Sequence, residues 1–157
     1  MIIRNENLHD ISSIRHVVAT AFQRPDEARL VDQLRSVISL VALDGDEVVG
    51  HALFSSTAAP FPALGLAPVA IKPDRQRLEI GSQLIHAGLD RSRKAGWKGV
   101  FVLGDPRYYC RFGFDRFVAS GFTSRYSGPH LMALALDGDL PVTQGIIEYA
   151  SAFRLFG

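Results

Sequence analysis

Apolar and polar residues alternate along the first part of the chain with spacings that separate strands from helices. Ile2 and Ile3 begin a short apolar stretch that ends at Asn5 and predicts a strand. The next apolar residues recur at helical spacing and predict an amphipathic helix: Ile11, Ile14, Val18 and Phe22. A second helix is predicted from Pro25 to about Ser36, because proline and acidic residues suit a first helical turn.

A β-hairpin is predicted next. Apolar and β-branched residues run from 37 to 43 and again from 48 to 55, and the polar residues 44–46 between them suit a tight turn. Residues 64 to 71 predict a further buried strand, in which Pro68 cannot donate a ladder hydrogen bond. Pro68 therefore predicts a bulge or a point at which neighbouring strands separate.

Helix and strand patterns alternate in the second half of the chain. The predicted elements are a helix from Ile80 to about Lys94 capped by Gly96, a strand over 100–103, a short helix over 107–112 stopped at Gly113, and a strand over 131–136. The order strand, helix, strand from Leu64 to Leu103 implies a crossover and a parallel pair, whereas the hairpin implies antiparallel pairing. The sequence therefore predicts a mixed sheet.

Length and charge narrow the range of functions. The 157 residues fit a single domain spanning 1–157. Seventeen Lys and Arg against sixteen Asp and Glu leave a net charge of +1 without a basic stripe, so we expect no nucleic-acid partner. No apolar run approaches the ~20 residues that span a bilayer, so we expect no membrane partner. A single cysteine cannot form a disulfide framework, and we expect a cytoplasmic location.

Several common sites have no support in the sequence. A phosphate loop, a dinucleotide fingerprint and a serine elbow are all missing. The five histidines lack helical metal-site spacing and Cys110 has no partner at ligand spacing, so no metal site is predicted. Cys110 is interpreted as a small buried or half-buried packing residue, because no histidine lies near it in sequence. His51 follows Gly50 on a predicted strand, and this strand is a candidate for facing a central cleft.

The most informative stretch is a strand that enters a helix through a polar loop, from Val69 to Ile85. Unpaired backbone amides at such a helix start bind anions, and a pyrophosphate would suit them. The stretch resembles the acyl-CoA-binding motif of the GNAT superfamily of N-acetyltransferases, which reads Gln/Arg-x-x-Gly-x-Gly/Ala after a strand ending in Val-x-Pro. Gln76, Gly81 and Pro73 match that motif.

A second segment, residues 101–114, resembles the strand and tyrosine segment of the same superfamily. Tyr109 stands four residues before Gly113-Phe114, where many members place the tyrosine thought to protonate the departing thiolate. The sequences of residues 104–114 and of the closing residues 148–153 resemble the YhbS-like branch of this superfamily. The resemblance implies a GNAT-like α/β (α+β) fold: a mixed, mostly antiparallel sheet with one central splayed parallel strand pair, flanked by helices.

The resemblance also implies a function. An acetyl group would move from the co-substrate acetyl-CoA to a primary amine of a small molecule or a protein, by direct attack in a ternary complex. Tyr109 would be catalytic, and a backbone N–H of Ala70 or a neighbour would polarise the thioester carbonyl. A core-filling role is the alternative for Tyr109. The acyl-CoA-binding residues that it implies are Val69, Ala70, Ile71, Gln76, Arg77, Leu78, Glu79, Ile80, Gly81 and Ser82.

Glu79 departs from the motif, because it stands where the first glycine is expected. One interpretation is that its carboxylate stabilises the helix start with no ligand present. The other is that it faces solvent, with Arg75 or Arg77 offsetting its charge while the amides of residues 77–82 hold the phosphates. A non-catalytic acyl-CoA sensor or protein-interaction domain with a degenerate loop is therefore the alternative function.

The general base and the oligomeric state are less constrained. Many family members carry a glutamate on the strand that here has Leu66 and Ala67, so no acid is present at that place. The candidates are Glu27, Asp105 and a water chain that ends at His51. The late strand is expected to be exposed and to allow pairing with a second copy, as a homodimer.

Overall fold

The computed structural model describes residues 1–22, 38–76, 78–125 and 127–148. The strands are β1 (Ile2–Asn5), β2 (Ile38–Asp44), β3 (Glu47–Thr57), β4 (Ala63–Ile71), β5 (Gly99–Leu103), β6 (Phe122–Thr123), β7 (Leu131–Ala135) and β8 (Gly145–Ile146). The α-helices are α1 (Ile11–Phe22), α2 (Ile80–Lys94), α3 (Pro106–Tyr109) and α4 (Arg116–Ala119). Short 3₁₀ turns occur at Leu8–Asp10, Pro73–Arg75 and Cys110–Phe112. The helix predicted from Pro25 to Ser36 lies outside the described residues.

Six strands form one mixed sheet in the order β1-β2-β3-β4-β5-β7. All neighbouring strands are antiparallel except the central pair β4 and β5, which is parallel. The predicted fold class is therefore confirmed. A second sheet, formed by β6 and β8, is also parallel and was not predicted. Its strands have two residues each, which is too short for a periodic pattern to show.

The parallel pair separates along its length. β4 pairs with β5 only from Ala63 to Leu66, but β4 itself continues to Ile71. On the other side, β3 and β4 change register between Ala52 and Phe54, so β4 carries one extra residue in the segment that contains Pro68. The bulge and the strand separation predicted from Pro68 are both present. Residues 67–71 of β4 therefore have an edge that β5 does not cover.

Helices pack on both faces of the sheet. Ile80, Leu84 and Ile85 of α2 pack with Phe54 of β3 in the largest buried cluster, and the ring of Phe54 lies directly against Gly88. The buried side of α1 faces the opposite side of the sheet, where a separate cluster consists of Ile14, Val17, Val18, Val41, Val48 and Ala70. Gly96 has a φ of 92° just after α2, as predicted for the cap. None of the described helices is long and apolar enough to cross a membrane.

The outer side of β7 is partly covered. Asp115 and Ala133 exchange two backbone hydrogen bonds of 3.0 and 3.1 Å there. Part of the edge that the sequence suggested for a second copy is thus already paired, and the homodimer stays a prediction.

Candidate functional site

The loop after β4 and the first turn of α2 form one side of a cleft of about 360 Å³. The cleft is lined by Ile71, Arg75, Gln76, Glu79, Ile80, Gly81, Ser82, Tyr108 and Arg111. Six of the ten predicted binding residues are among them. Val69 and Ala70 lie on β4, Leu78 is exposed in the loop, and Arg77 lies outside the described residues.

The backbone at the start of α2 opens onto this cleft. The first helical hydrogen bond runs from Gln83 N–H to the carbonyl oxygen of Glu79 at 3.0 Å. The N–H groups of Ile80, Gly81 and Ser82 precede that bond and therefore have no acceptor within the helix. The Glu79 side chain makes no capping hydrogen bond to the described first turn. Three backbone donors at the positive end of the helix dipole are thus available to an anion.

Glu79 adopts the backbone conformation that a glycine would suit best. Its φ of 61° and ψ of 16° are left-handed, and no other described residue besides glycine has a positive φ. The side chain is 69% exposed, and its Oε2 lies 3.6 Å from Nη2 of Arg111. The exposed side chain agrees with the interpretation in which Glu79 faces solvent. The carboxylate does not make the capping hydrogen bond to the described first turn that the other interpretation, in which it stabilises the helix start, would suggest.

The cation beside Glu79 differs from the expected one. Arg75 was suggested to offset the charge of Glu79, but its guanidinium contacts other carboxylates: Asp74 at 2.8 Å, Asp44 at 3.4 Å and Glu47 at 3.5 Å. Arg75 lines the cleft, but these contacts tie its guanidinium to its neighbour Asp74 and to the β2–β3 hairpin and not to Glu79. Arg111 takes the position instead, because it reaches the cleft from the opposite side.

Glu79→Gly is expected to raise the free energy of unfolding by about 1 kcal/mol, because a left-handed backbone costs a side-chain-bearing residue roughly that amount. Urea unfolding of the two proteins measures the difference. Glu79→Ala is the control, since alanine also lacks the carboxylate but keeps the Cβ atom that opposes this conformation. Equal gains from glycine and alanine would show that the backbone is not the source.

The loop itself is tied to the sheet. Gln76 Nε2 donates to the carbonyl oxygen of Ile71 at 3.1 Å, so the motif glutamine closes the loop onto the end of β4. Lys72 Nζ binds Glu47 at 2.7 Å, next to the contacts of Arg75 with the same hairpin. The loop is therefore held on both sides before it reaches α2.

The free edge of β4 presents specific backbone groups. Lys72 N–H donates to Val49 of β3 at 2.9 Å, and residues alternate along a strand, so Ala70 also directs its N–H toward β3. Val69 and Ile71 direct theirs into the gap beside β5. The expectation named the N–H of Ala70 or of a neighbour, and it is the N–H groups of the neighbours that face the gap.

Two adjacent tyrosines have different surroundings. The ring of Tyr109 is packed against Gly104, one residue beyond β5, and against Phe114 at a centroid distance of 5.8 Å. Burial raises the pKa of Tyr109 to about 12, with a smaller contribution from Tyr108. The hydroxyl of Tyr108 instead lies 3.1 Å from the position that a Cβ of Gly81 would occupy. Tyr109 therefore sits at the mouth of the strand gap, and Tyr108 at the helix start.

Tyr108 and Arg111 were not predicted as site residues. They are three residues apart in a helical segment, a spacing that places them on one side, and the Arg111 guanidinium carbon lies 4.8 Å from the Tyr108 ring centroid. This spacing was the available signal in the sequence that the two side chains act together. Their contact with α2 depends on tertiary structure, which the sequence pattern does not show.

The candidate bases have other structural roles or lie elsewhere. Asp105 caps α3 by accepting from Arg107 N–H at 2.9 Å, and the hydrogen bond from the Arg107 side chain lowers the pKa of Asp105. His51 is fully buried among residues of the α1 side and its Nδ1 lies 3.0 Å from the Leu40 carbonyl oxygen, so it is neither a surface residue nor a lining residue of this cleft. Glu27 lies outside the described residues. Cys110 is exposed, so its interpretation as a buried packing residue is wrong.

Comparisons with known proteins agree with this arrangement. The model of the acetyltransferase (GNAT) family matches residues 7–114. The uncharacterized N-acetyltransferase YhbS of Escherichia coli K12 is 31% identical over 170 residues, which cover 99% of this chain and all of YhbS. The uncharacterized N-acetyltransferase YjhQ of the same strain is 37% identical over 118 residues, covering 68% of this chain and 65% of YjhQ.

Two crystal structures are also similar over nearly the whole chain. YhbS from Escherichia coli in complex with CoA has a TM-score of 0.91 and 30% identity, covering 99% of this chain and 93% of that chain. A GNAT family acetyltransferase from Brucella melitensis in complex with acetyl-CoA has a TM-score of 0.82 and 36% identity, covering 97% of both chains. Similarity to these proteins in sequence and in structure thus accompanies the site geometry, in which β4 and β5 separate beside an open helix start. The chain belongs to the GNAT family of acetyltransferases.

Proposed function

We propose that the protein is an acyl-CoA-dependent N-acetyltransferase that moves an acetyl group from acetyl-CoA to a primary amine by direct attack in a ternary complex. The observation that carries this proposal is the open first turn of α2 next to the uncovered edge of β4. The relatives crystallised with CoA and with acetyl-CoA support the same ligand. The amine belongs to a small molecule or to a protein.

The residues present fit the two ends of this ligand. The diphosphate needs several donors and a positive potential, which the N–H groups of Ile80, Gly81 and Ser82 supply. The amides of the pantetheine arm need strand-like partners, which the uncovered edge of β4 supplies at Val69 and Ile71. Gln76 holds the loop in place between these two parts. Arg77, Leu78 and Glu79 complete the loop in this proposal.

Direct attack needs two kinds of assistance from the protein. As the amine nitrogen forms its bond to the acetyl carbon, the thioester oxygen gains negative charge, and an N–H of the β4 edge stabilises it. As the carbon–sulfur bond breaks, the leaving thiolate needs a hydrogen-bond donor. We assign that role to Tyr109, because its ring lies at the end of β5 and its phenol stays protonated at neutral pH. The amine loses its proton to solvent, and we assign no base among the described residues.

The alternative is a protein that binds acyl-CoA without transferring the acetyl group. The observation that favours it is Glu79, which brings a negative charge to the place where the diphosphate is proposed to bind. Both functions require ligand binding, but only the transferase releases free CoA when an amine is present.

A thermal-shift titration with CoA and acetyl-CoA tests binding. A ligand that binds only the folded state raises the unfolding midpoint with concentration, and we expect such a rise below millimolar ligand. Gly81→Val is the matched control, because its side chain would fill the cleft beside the Tyr108 hydroxyl. No shift of the unaltered protein at millimolar CoA would overturn the proposal.

Thiol release from acetyl-CoA with a panel of primary amines tests transfer. We expect the release of CoA thiol to depend on the amine. The amine should gain the mass of 1 acetyl group for each thiol released, because the acetyl group moves from sulfur to nitrogen. Binding of acetyl-CoA without release for any amine of the panel would favour the sensor instead.

A further inference from the structure

Arg111 extends across the cleft to the first turn of α2. Its Nη2 donates to Ser82 Oγ at 2.8 Å and lies 3.6 Å from Oε2 of Glu79. The guanidinium carbon lies 4.8 Å from the ring centroid of Tyr108 and 5.4 Å from that of Phe112. Two aromatic rings therefore support a cation that lies beside the first turn of α2.

The hydrogen bond to Ser82 adds a further donor to this group. A guanidinium can only donate, so the Ser82 oxygen accepts from Arg111 and the Ser82 hydroxyl keeps its own proton for another acceptor. Three backbone N–H groups, a hydroxyl and a guanidinium thus meet at one cleft. Such a set suits two linked phosphate groups better than a single carboxylate, because Arg can contact phosphate oxygens in pairs.

The carboxylate that accompanies Arg111 is held weakly. The Glu79 side chain is 69% exposed and the Arg111 side chain 45%, and the closest approach of their charged atoms is 3.6 Å. Water and salt screen an exposed pair at this distance. The left-handed backbone of Glu79 also places its side chain at the surface, where it can turn to solvent without disturbing the core.

We propose that Arg111 binds the diphosphate of acyl-CoA. Before the ligand binds, the Glu79 carboxylate pairs with the Arg111 guanidinium, and the diphosphate then displaces this carboxylate. The inference rests on the proposed function and assigns it a further binding residue, which the loop motif does not contain. It also explains how an acidic residue is compatible with an anion site: a cation from the other side of the cleft neutralises it before binding and serves the ligand afterwards.

Isothermal titration of CoA and dephospho-CoA against Arg111→Gln tests the assignment. Dephospho-CoA keeps the diphosphate and lacks the 3′-phosphate. We expect the dissociation constants of both ligands to rise by the same factor, about tenfold, the size expected for loss of a hydrogen bond to a charged group. The salt dependence of CoA binding should become shallower, which a merely structural role of Arg111 would not produce.

Arg107→Gln is the matched control, because Arg107 lies on the same segment but is 92% exposed and paired with Asp105. We expect its CoA affinity to stay within about twofold of the unaltered protein, whereas Glu79→Gln should bind CoA about threefold more tightly because the competing carboxylate is gone.

Three results would contradict this inference in different ways. Unchanged affinity of Arg111→Gln for both ligands would remove Arg111 from the site while leaving the proposed function intact. A loss for CoA alone would assign Arg111 to the 3′-phosphate instead of the diphosphate. An unaltered protein that binds neither ligand would overturn both the inference and the proposed function.

Discussion

Tyr109→Phe is expected to lower kcat about 100-fold, in the range typical of a lost hydrogen-bond donor to a developing anion, while the dissociation constant of CoA stays within about twofold. The substitution removes one oxygen and keeps the ring that packs against Phe114 and Gly104, so the fold should be unaffected. Release of CoA thiol with the best amine of the panel measures kcat. Full activity of this variant would remove Tyr109 from the mechanism.

The pKa of Tyr109 shapes the pH dependence of this reaction. Burial raises that pKa to about 12, so the phenol remains the protonated species at every pH used in ordinary assays. Transfer to a thiolate whose thiol has a reference pKa of about 8.5 is then uphill, and the stabilisation comes mainly from hydrogen-bond donation as the thiolate develops. We therefore expect no loss of kcat/KM between about pH 7 and 10 that depends on Tyr109.

Tyr108→Phe separates the two adjacent tyrosines. Its hydroxyl lies at the start of α2 and not at the end of β5, so we expect kcat within about threefold of the unaltered protein. A larger loss of kcat in Tyr108→Phe than in Tyr109→Phe would exchange their assignments.

Gly88→Ala is expected to lower the free energy of unfolding by about 2 kcal/mol, although alanine normally favours a helix over glycine. A Cβ on Gly88 would lie 2.0 Å from Cε1 and 2.3 Å from Cζ of Phe54, and this ring is fully buried. Either the ring or α2 must move. For a chain of this length the midpoint of thermal unfolding should fall by roughly 4 to 8 °C.

Phe54→Leu provides the background that tests this explanation. Leucine lacks the ring atoms that a Cβ on Gly88 would meet, so Gly88→Ala should cost little when it is added to Phe54→Leu. An equal cost of Gly88→Ala in both backgrounds would mean that the close approach of ring and helix is not its cause.

The sequence predicted those features that depend on neighbouring residues. The spacing of Ile80, Leu84 and Ile85 is local, and so are the turn between β2 and β3 and the effect of Pro68 on strand pairing. The loop motif likewise placed the helix start within a few residues. None of these predictions required knowledge of contacts between residues that are distant in the sequence.

The parts that the sequence left open or missed depend on register or on distant contacts. The sequence proposed the N–H of Ala70 or of a neighbour as a donor, and strand pairing is needed to show that those of Val69 and Ile71 face the gap. Arg111 reaches Ser82, 29 residues earlier in the chain, only because the fold brings α2 beside the segment after β5.

The ion pairs that join the loop after β4 to the turn between β2 and β3 have a consequence for altering this protein. Lys72 and Arg75 contact Glu47 and Asp44, which flank the two-residue turn between β2 and β3. Surface turns commonly tolerate inserted peptides, and the residues of this turn are exposed. A tag or sensor inserted between Gly45 and Asp46 would nevertheless pull on the segment that leads into α2, so labels are better placed elsewhere.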